Sequence, residues 1–129
     1  MQDISANRYN LTMWQGSTFG LLITVKTANG SIQNLSNYSA RMQIRSDYAS
    51  GTTAESLTTS NGEITVEGAN GNLVLSLSAT RTANIFVDLL SGTKPPKSVY
   101  VYDLELIDSA NNVTKLLYGD VNVYGEVTR

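Results

Sequence analysis

A glycosidase needs two carboxylates facing one another across a cleft. Asp103 and Glu105 are the best pair by spacing, at i and i+2 on one strand face. The same two positions suit the solvated outer face of a sheet, where acids ordinarily stand, and that is the reading adopted. The chain has no His and no Cys, which removes the common nucleophile–base pairs and the usual zinc ligands. Asp47, Asp88, Asp108 and Asp120 are each isolated, with no Asp-x-Asp-x-Asp-Gly run, so no dedicated calcium loop is expected. Gly68-Ala69-Asn70-Gly71 lies between two strand patterns rather than ahead of a helix, so it is not a phosphate loop. Asn-x-Ser/Thr triplets start at Asn10, Asn29, Asn34, Asn37 and Asn112 and follow from an Asn-, Ser- and Thr-rich composition. No catalytic residue, cofactor or metal is expected, and the chain is read as non-enzymatic.

Composition narrows the partners. The 129 residues suffice for one domain with its own core. Charged residues make up 16%, below the typical quarter, and the net charge is −2. The scattered Lys and Arg leave no basic face for nucleic acid. No run approaches the length of a membrane span. The N-terminal stretch, Met1 to Arg8, has no apolar core of a signal peptide; with Met1 retained, synthesis in the cytoplasm is expected.

The elements that would carry these residues are strands. Asn29-Gly30, Asn61-Gly62 and Asn70-Gly71 each fall between alternating apolar and polar runs. That is the signal for type I′ hairpin turns, whose two central residues both need φ > 0. Tyr9 to Met13 is the first expected strand and Thr18 to Lys26 the second, with Phe19, Leu21, Ile23 and Val25 on one face. Ser39 to Ser46 is the third, with Ala40, Met42 and Ile44 on one face and Arg41, Gln43 and Arg45 on the other. Asp47 to Glu55 is loop chemistry and the expected crossing between sheets. Ser56 to Thr58 is a short strand. Glu63 to Glu67 and Asn72 to Leu77 follow, carrying Ile64, Val66, Leu73, Leu75 and Leu77 inward. Ser78 to Ile85 is the one helical stretch, capped by Ser78 with Ala79 and Ala83 inside. Phe86 to Lys97 is a longer loop, stiffened by Pro95 and Pro96.

Ser98 to Ile107 is the strongest strand. Tyr100, Tyr102, Leu104 and Leu106 share one face, assigned to the core because Asp103 and Glu105 on the other face want water. One of the two tyrosines enters the strand after a loop, as the tyrosine corner of a Greek-key sandwich does. Asp108 to Asn112 is a hairpin turn. Val113 to Tyr118 and Asp120 to Tyr124 close the chain, with a bulge or bend at Gly119. The total is eight or nine short strands, spaced as in an antiparallel β-sandwich. Trp14 ends the first strand as a core plug or, alternatively, an exposed contact.

Five segments, in chain order, carry a resemblance to one family. Gln15-Gly16-Ser17-Thr18-Phe19 resembles the family's G-x-T/S-F. Leu35-Ser36-Asn37-Tyr38-Ser39-Ala40-Arg41-Met42-Gln43-Ile44-Arg45 resembles its D-L-T-G-Y-x-A-R-M-Q-I-R. Leu57-Thr58-Thr59-Ser60-Asn61-Gly62-Glu63-Ile64 resembles its L-T-T-x-x-G-x-I. Tyr100-Val101-Tyr102-Asp103-Leu104-Glu105-Leu106 resembles its Y-V-Y-D-L-E-L, and Glu126-Val127-Thr128-Arg129 its closing V-T-R. Asn34 and Asn37 depart from the pattern, and 86–98 is longer than usual. Together these segments resemble a family of small tail-associated or virion proteins of tailed bacteriophages, whose related domains open some upper baseplate proteins. The resemblance implies an immunoglobulin-like antiparallel β-sandwich (Greek key) in the virion, present in multiple symmetric copies and docked to other phage virion proteins of the tail, baseplate or neck. It supplies no catalytic residue. Exposed edge strands offer unpaired backbone groups, so the terminal strands are the expected contact: Tyr9, Leu11, Met13, Trp14, Val121, Val123, Tyr124, Val127 and Arg129. The alternatives are a capsid decoration protein of the same class, and a carbohydrate-binding module presenting Tyr100 and Tyr102 on an outer face.

Overall fold

The computed structural model describes residues 6–129; the reading of the N-terminus at Met1 to Ser5 lies outside them. Nine strands, one short α-helix and one 3-10 turn follow in order: β1 (Asn7–Arg8), β2 (Leu11–Trp14), β3 (Phe19–Thr24), β4 (Ser39–Arg45), β5 (Glu55–Thr58), β6 (Ile64–Glu67), the 3-10 turn (Gly68–Asn70), β7 (Asn72–Leu77), α1 (Ala79–Ala83), β8 (Lys97–Ile107) and β9 (Val113–Tyr124). They form two sheets. The larger runs β9-β8-β4-β5, with β1 and β2 both paired to the outer side of β9; the smaller runs β3-β7-β6.

Strands four, five, eight and nine thus stand as C, C′, F and G of an immunoglobulin fold, and three, six and seven as B, D and E. The fold is an immunoglobulin-like β-sandwich. Its pairings are antiparallel apart from the N-terminal arm, where β1 and β2 run parallel to β9.

Period-2 alternation puts one side of each strand into the core. Ala40, Met42 and Ile44 of β4, Leu73, Leu75 and Leu77 of β7, and Tyr100, Tyr102, Leu104 and Leu106 of β8 are all buried. The two tyrosines enter the core because each hydroxyl finds a carbonyl. Tyr100 donates to Phe86 O at 2.6 Å, the tyrosine corner, and Tyr102 donates to Tyr9 O at 2.6 Å, tying the N-terminal arm to β8.

Several local expectations are corrected. The Asn-Gly turns are not type I′: only the glycines have positive φ, +89° at Gly30, +85° at Gly62 and +66° at Gly71. Each glycine N–H reaches back three residues, to Thr27 O, Thr59 O and Gly68 O, so Asn sits at the third position of the turn with ordinary φ and Gly follows in the left-handed region. Asn70-Gly71 does link two paired strands, β6 and β7. Asn61-Gly62 instead carries the chain from one sheet to the other, the crossing expected at 47–55. That segment joins β4 to its own neighbour β5.

In α1, Ser78 Oγ accepts from Arg81 N at 3.2 Å as expected, but the buried residue is Thr82, not Ala79 or Ala83. The Thr82 hydroxyl satisfies itself by donating to Ser17 O at 2.9 Å, or to Ala79 O at 3.0 Å. The last strand is one run of 12 residues and β8 has 11, so these two are not short. The bulge falls at Leu116, because Leu104 pairs with Leu117 and Glu105 with Lys115. Gly119 has another role: a Cβ there would lie 2.6 Å from Tyr9 O, so the glycine admits the arm.

Candidate docking site

The expected contact residues divide by strand parity. Leu11 and Met13 on β2, and Val121 and Val123 on β9, face inward and are buried. These four are core residues, a correction to their assignment as contacts. The reason is alternation, which turns these positions of both strands toward the core; β9 moreover lies between β8 and the N-terminal arm rather than at an edge. Tyr9 and Trp14 are about half exposed, and Val127 is 94% exposed. Trp14 is therefore no core plug. It stacks on Tyr124, ring centroids 4.6 Å apart, with Lys97 Nζ 6.0 Å from the centre of the Tyr124 ring on the neighbouring strand.

Val127 and Arg129 belong to a different feature. After β9, Gly125 N–H donates to Pro96 O at 2.9 Å, which lays the C-terminal segment beside the 86–96 loop. Between them lies an open cleft of about 590 Å³, its apolar lining supplied by Leu89, Leu90, Pro95, Pro96 and Val127, with Lys94, Glu126 and Arg129 also around it. Leu90 is 93% exposed, and Phe86, on the same loop, is also exposed. The loop gains some order from its own acid: Asp88 Oδ1 accepts from Leu90 N at 3.0 Å, and Asp88 N–H donates to Ser98 Oγ at 3.0 Å. Sequence reading missed Leu89 and Leu90. Their available signal was two adjacent leucines in a loop, outside any alternating pattern.

The residues with chemical potential are engaged structurally. Asp103 pairs with Lys115 at 3.0 Å and Glu105 with Arg41 at 2.8 Å, on the outer face of the large sheet. The Asp103 bond, followed by opposing desolvation, leaves the Lys115 ammonium with a net upward pKa shift. Asp47 Oδ1 accepts from Ala49 N, and Asp120 pairs with Arg8 at 3.4 Å. Asp108 accepts from the backbone of Asn112 and Ala110, both at 2.9 Å, and from the Asn112 side chain at 3.1 Å. Those bonds, Asn112's first, hold its carboxyl below the usual range. Among the described residues, no three of His, Cys, Asp and Glu gather as a metal site. The chain's Ser-x-x-Lys spacing, Ser91 to Lys94, stands in the exposed loop, where Ser91 Oγ faces Thr93 Oγ1 at 3.1 Å.

One cluster is mostly shielded from water. Arg81 of α1 bonds both Glu55 of β5 and Glu63 of the β5–β6 turn, its Nε reaching Glu55 at 2.9 Å. The Glu55 and Glu63 side chains are only 9% and 15% exposed. The Glu55 bond, foremost, raises the Arg81 pKa. This clamp ties the helix to the far edge of the large sheet.

No known protein family matches the chain, and no curated protein does. Among solved structures, extracellular domains 3–5 of Drosophila OTK are similar at a TM-score of 0.34 and 15% identity, over 88% of this chain and 32% of that one. The chain thus spans about a third of that structure's length, and its fold assignment rests on the strand pairings above. No helix of the described residues is long and apolar enough to cross a membrane.

Proposed function

We propose that this domain is a non-enzymatic structural module of a tailed-phage particle, docking in multiple copies to other virion proteins of the tail, baseplate or neck. The observation that carries the docking role is the cleft at the C-terminal end. Leu89, Leu90 and Val127 hold apolar surface in water around about 590 Å³ of open space. Exposed apolar surface gathered in one place marks a contact site. The resemblance of five ordered segments to small virion proteins supports the phage setting. Asp103 and Glu105, the carboxylates weighed for catalysis, are engaged in ion pairs with Lys115 and Arg41, which agrees with a structural role.

The capsid decoration reading shares the fold and the cleft and differs in location. The carbohydrate-binding reading loses its support, because Tyr100 and Tyr102 face the core with 7% and 3% exposure. Cryo-EM of particles separates these outcomes. Density for the sandwich in several copies at the tail, baseplate or neck is the expected result. Density on the head lattice transfers the role to decoration, and particles lacking the chain refute the virion reading.

A further inference from the structure

The open edges of the two sheets are not alike. Glu55 stands on β5, Glu67 ends β6, and the N-terminal arm is short, carries Arg8 and breaks at Tyr9-Asn10. Charge, shortness and kinks at an edge discourage a second chain from pairing there. Strand β3 has none of these devices. From Phe19 to Val25 it holds no charge and no proline. Its one side pairs with β7, and among the described residues no strand pairs with the other.

Backbone direction fixes what that edge offers. Val25 N–H donates to Gly71 O, on the β7 side, at 2.8 Å. By alternation Phe19, Leu21 and Ile23 also direct their groups to β7, which leaves those of Gly20, Leu22 and Thr24 pointing outward. Leu22 is 62% exposed on the outer face. Phe19, Leu21 and Ile23 pack against the core yet are only partly buried, because the sheet ends beside them.

We propose that β3 is completed by β3 of a second copy, antiparallel, about a two-fold axis at Leu22. In this register Leu22 meets Leu22, Gly20 meets Thr24, Leu21 meets Ile23 and Phe19 meets Val25. On the inner face apolar side chains meet apolar side chains; on the outer face Leu22 meets Leu22 with Gly20 leaving room for Thr24 on either side, and no charge is brought opposite another. A shift of two residues in either direction sets Leu22 or Lys26 against Gly20 and loses that match. The edges β5 and β6 of a second copy would instead bring Glu55 or Glu67 to an uncharged strand. A two-fold contact of one patch with itself closes on two chains and builds a continuous sheet β6-β7-β3-β3-β7-β6. The pairing deepens the multi-copy docking reading, on which it rests for the presence of several copies, and supplies a contact remote from the cleft.

Sedimentation of the full chain at micromolar concentration tests it. A dimer is expected. Leu22→Lys, at an exposed side chain, is expected to unfold cooperatively as a monomer, losing only the concentration-dependent part of the wild-type melting temperature, and to abolish the dimer by placing two ammonium groups together. Leu22→Glu alone does the same, and mixing the two variants restores the dimer. The chain has no cysteine, so Leu22→Cys reports the register: a short bis-maleimide, adding one thiol at each end, links it across the axis, where paired residues stand about 5.5 Å apart, and does not link Ser76→Cys on the neighbouring strand. A monomeric wild type, or a dimer that survives Leu22→Lys, overturns the proposal. A monomer still incorporated into particles refutes the pairing and leaves the docking function standing; a linked dimer absent from particles supports the pairing and refutes that function.

Discussion

Tyr102 does two jobs with one hydroxyl. It closes the core of β8 and donates to the carbonyl of Tyr9, 93 residues away in sequence, at 2.6 Å. Tyr102→Phe keeps the packing and removes that bond. The expected loss is about 1 kcal/mol, with faster hydrogen exchange at Tyr9 N–H, which bonds Tyr118 O at 2.8 Å; unchanged exchange there would show that the arm is held by other contacts. Burial, with the charge of Tyr9 second, pushes the Tyr102 hydroxyl up to about 12. Its folded value is raised, so its share of stability is intact below the ordinary tyrosine value of about 10 and falls as pH climbs from there to about 12, by about 2–3 kcal/mol in all. Chemical denaturation across that window checks it, and Tyr102→Phe should flatten the decline. Arg81→Met is the second case. It leaves Glu55 and Glu63 mostly buried and facing one another. Removing one partner of a buried pair costs about 3–5 kcal/mol, but Arg81 is 39% exposed, so water screens the pair and about 1–3 kcal/mol is expected by urea unfolding. The facing of Tyr100 and Tyr102 was readable in advance because two acids on the opposite parity fix which side is wet. Trp14 was not: an indole stacks on Tyr124 at the surface as readily as it fills a core, and its stacking partner is 110 positions away in the chain.

At the scale of elements, alternation located the strands well and loop chemistry located their ends poorly. Ala40, Met42 and Ile44 announce β4 because period-2 burial is a local property. The three Asn-Gly dipeptides mark turns correctly, yet which strands a turn joins depends on pairing partners that no dipeptide encodes. Asn61-Gly62 bridges the sheets while 47–55 stays within one. Parallel pairing of the N-terminal arm with β9 was equally hidden, since it is a long-range choice. Its trace in the sequence is Gly119, which looked like a bend and proves to be clearance for Tyr9 O. Gly119→Ala places a methyl group 2.6 Å from that oxygen, and the arm must shift. Overpacking of this kind costs typically about 1–3 kcal/mol. A lowered melting temperature, with loss of exchange protection confined to β1, β2 and the facing half of β9, is the expected result. Uniform loss across both sheets would mean that the arm and the sandwich unfold as one unit.

For the whole molecule, the low charge and the placement of apolar surface belong together. A chain with only 16% charged residues and a polarity built on Asn, Ser and Thr sets up little long-range field, so association must come from local contact. The sequence gives no direct view of that contact. Leu89, Leu90 and Val127 stand in irregular segments outside any alternating pattern, and the bond from Gly125 to Pro96 O lays the two segments side by side. Two changes probe the cleft without touching the core. Removing 127–129 deletes residues that are exposed and lie beyond the Gly125 anchor; Leu90→Asp puts a carboxylate on a side chain that is 93% exposed. Surface changes of this kind ordinarily stay within about 0.5 kcal/mol, so both variants should melt with the parent and keep its oligomeric state, since neither lies on β3. If the cleft is the docking site, both should be lost or strongly depleted when particles are assembled with the variant chain, as read by quantitative mass spectrometry of purified particles. Leu22→Lys separates the two surfaces: it removes the symmetric contact and leaves the cleft whole. Depletion by the cleft variants with normal melting assigns docking to this end of the sandwich. Normal incorporation of both would remove the cleft from the interface and return the search to Trp14, Tyr124 and the outer face of the large sheet.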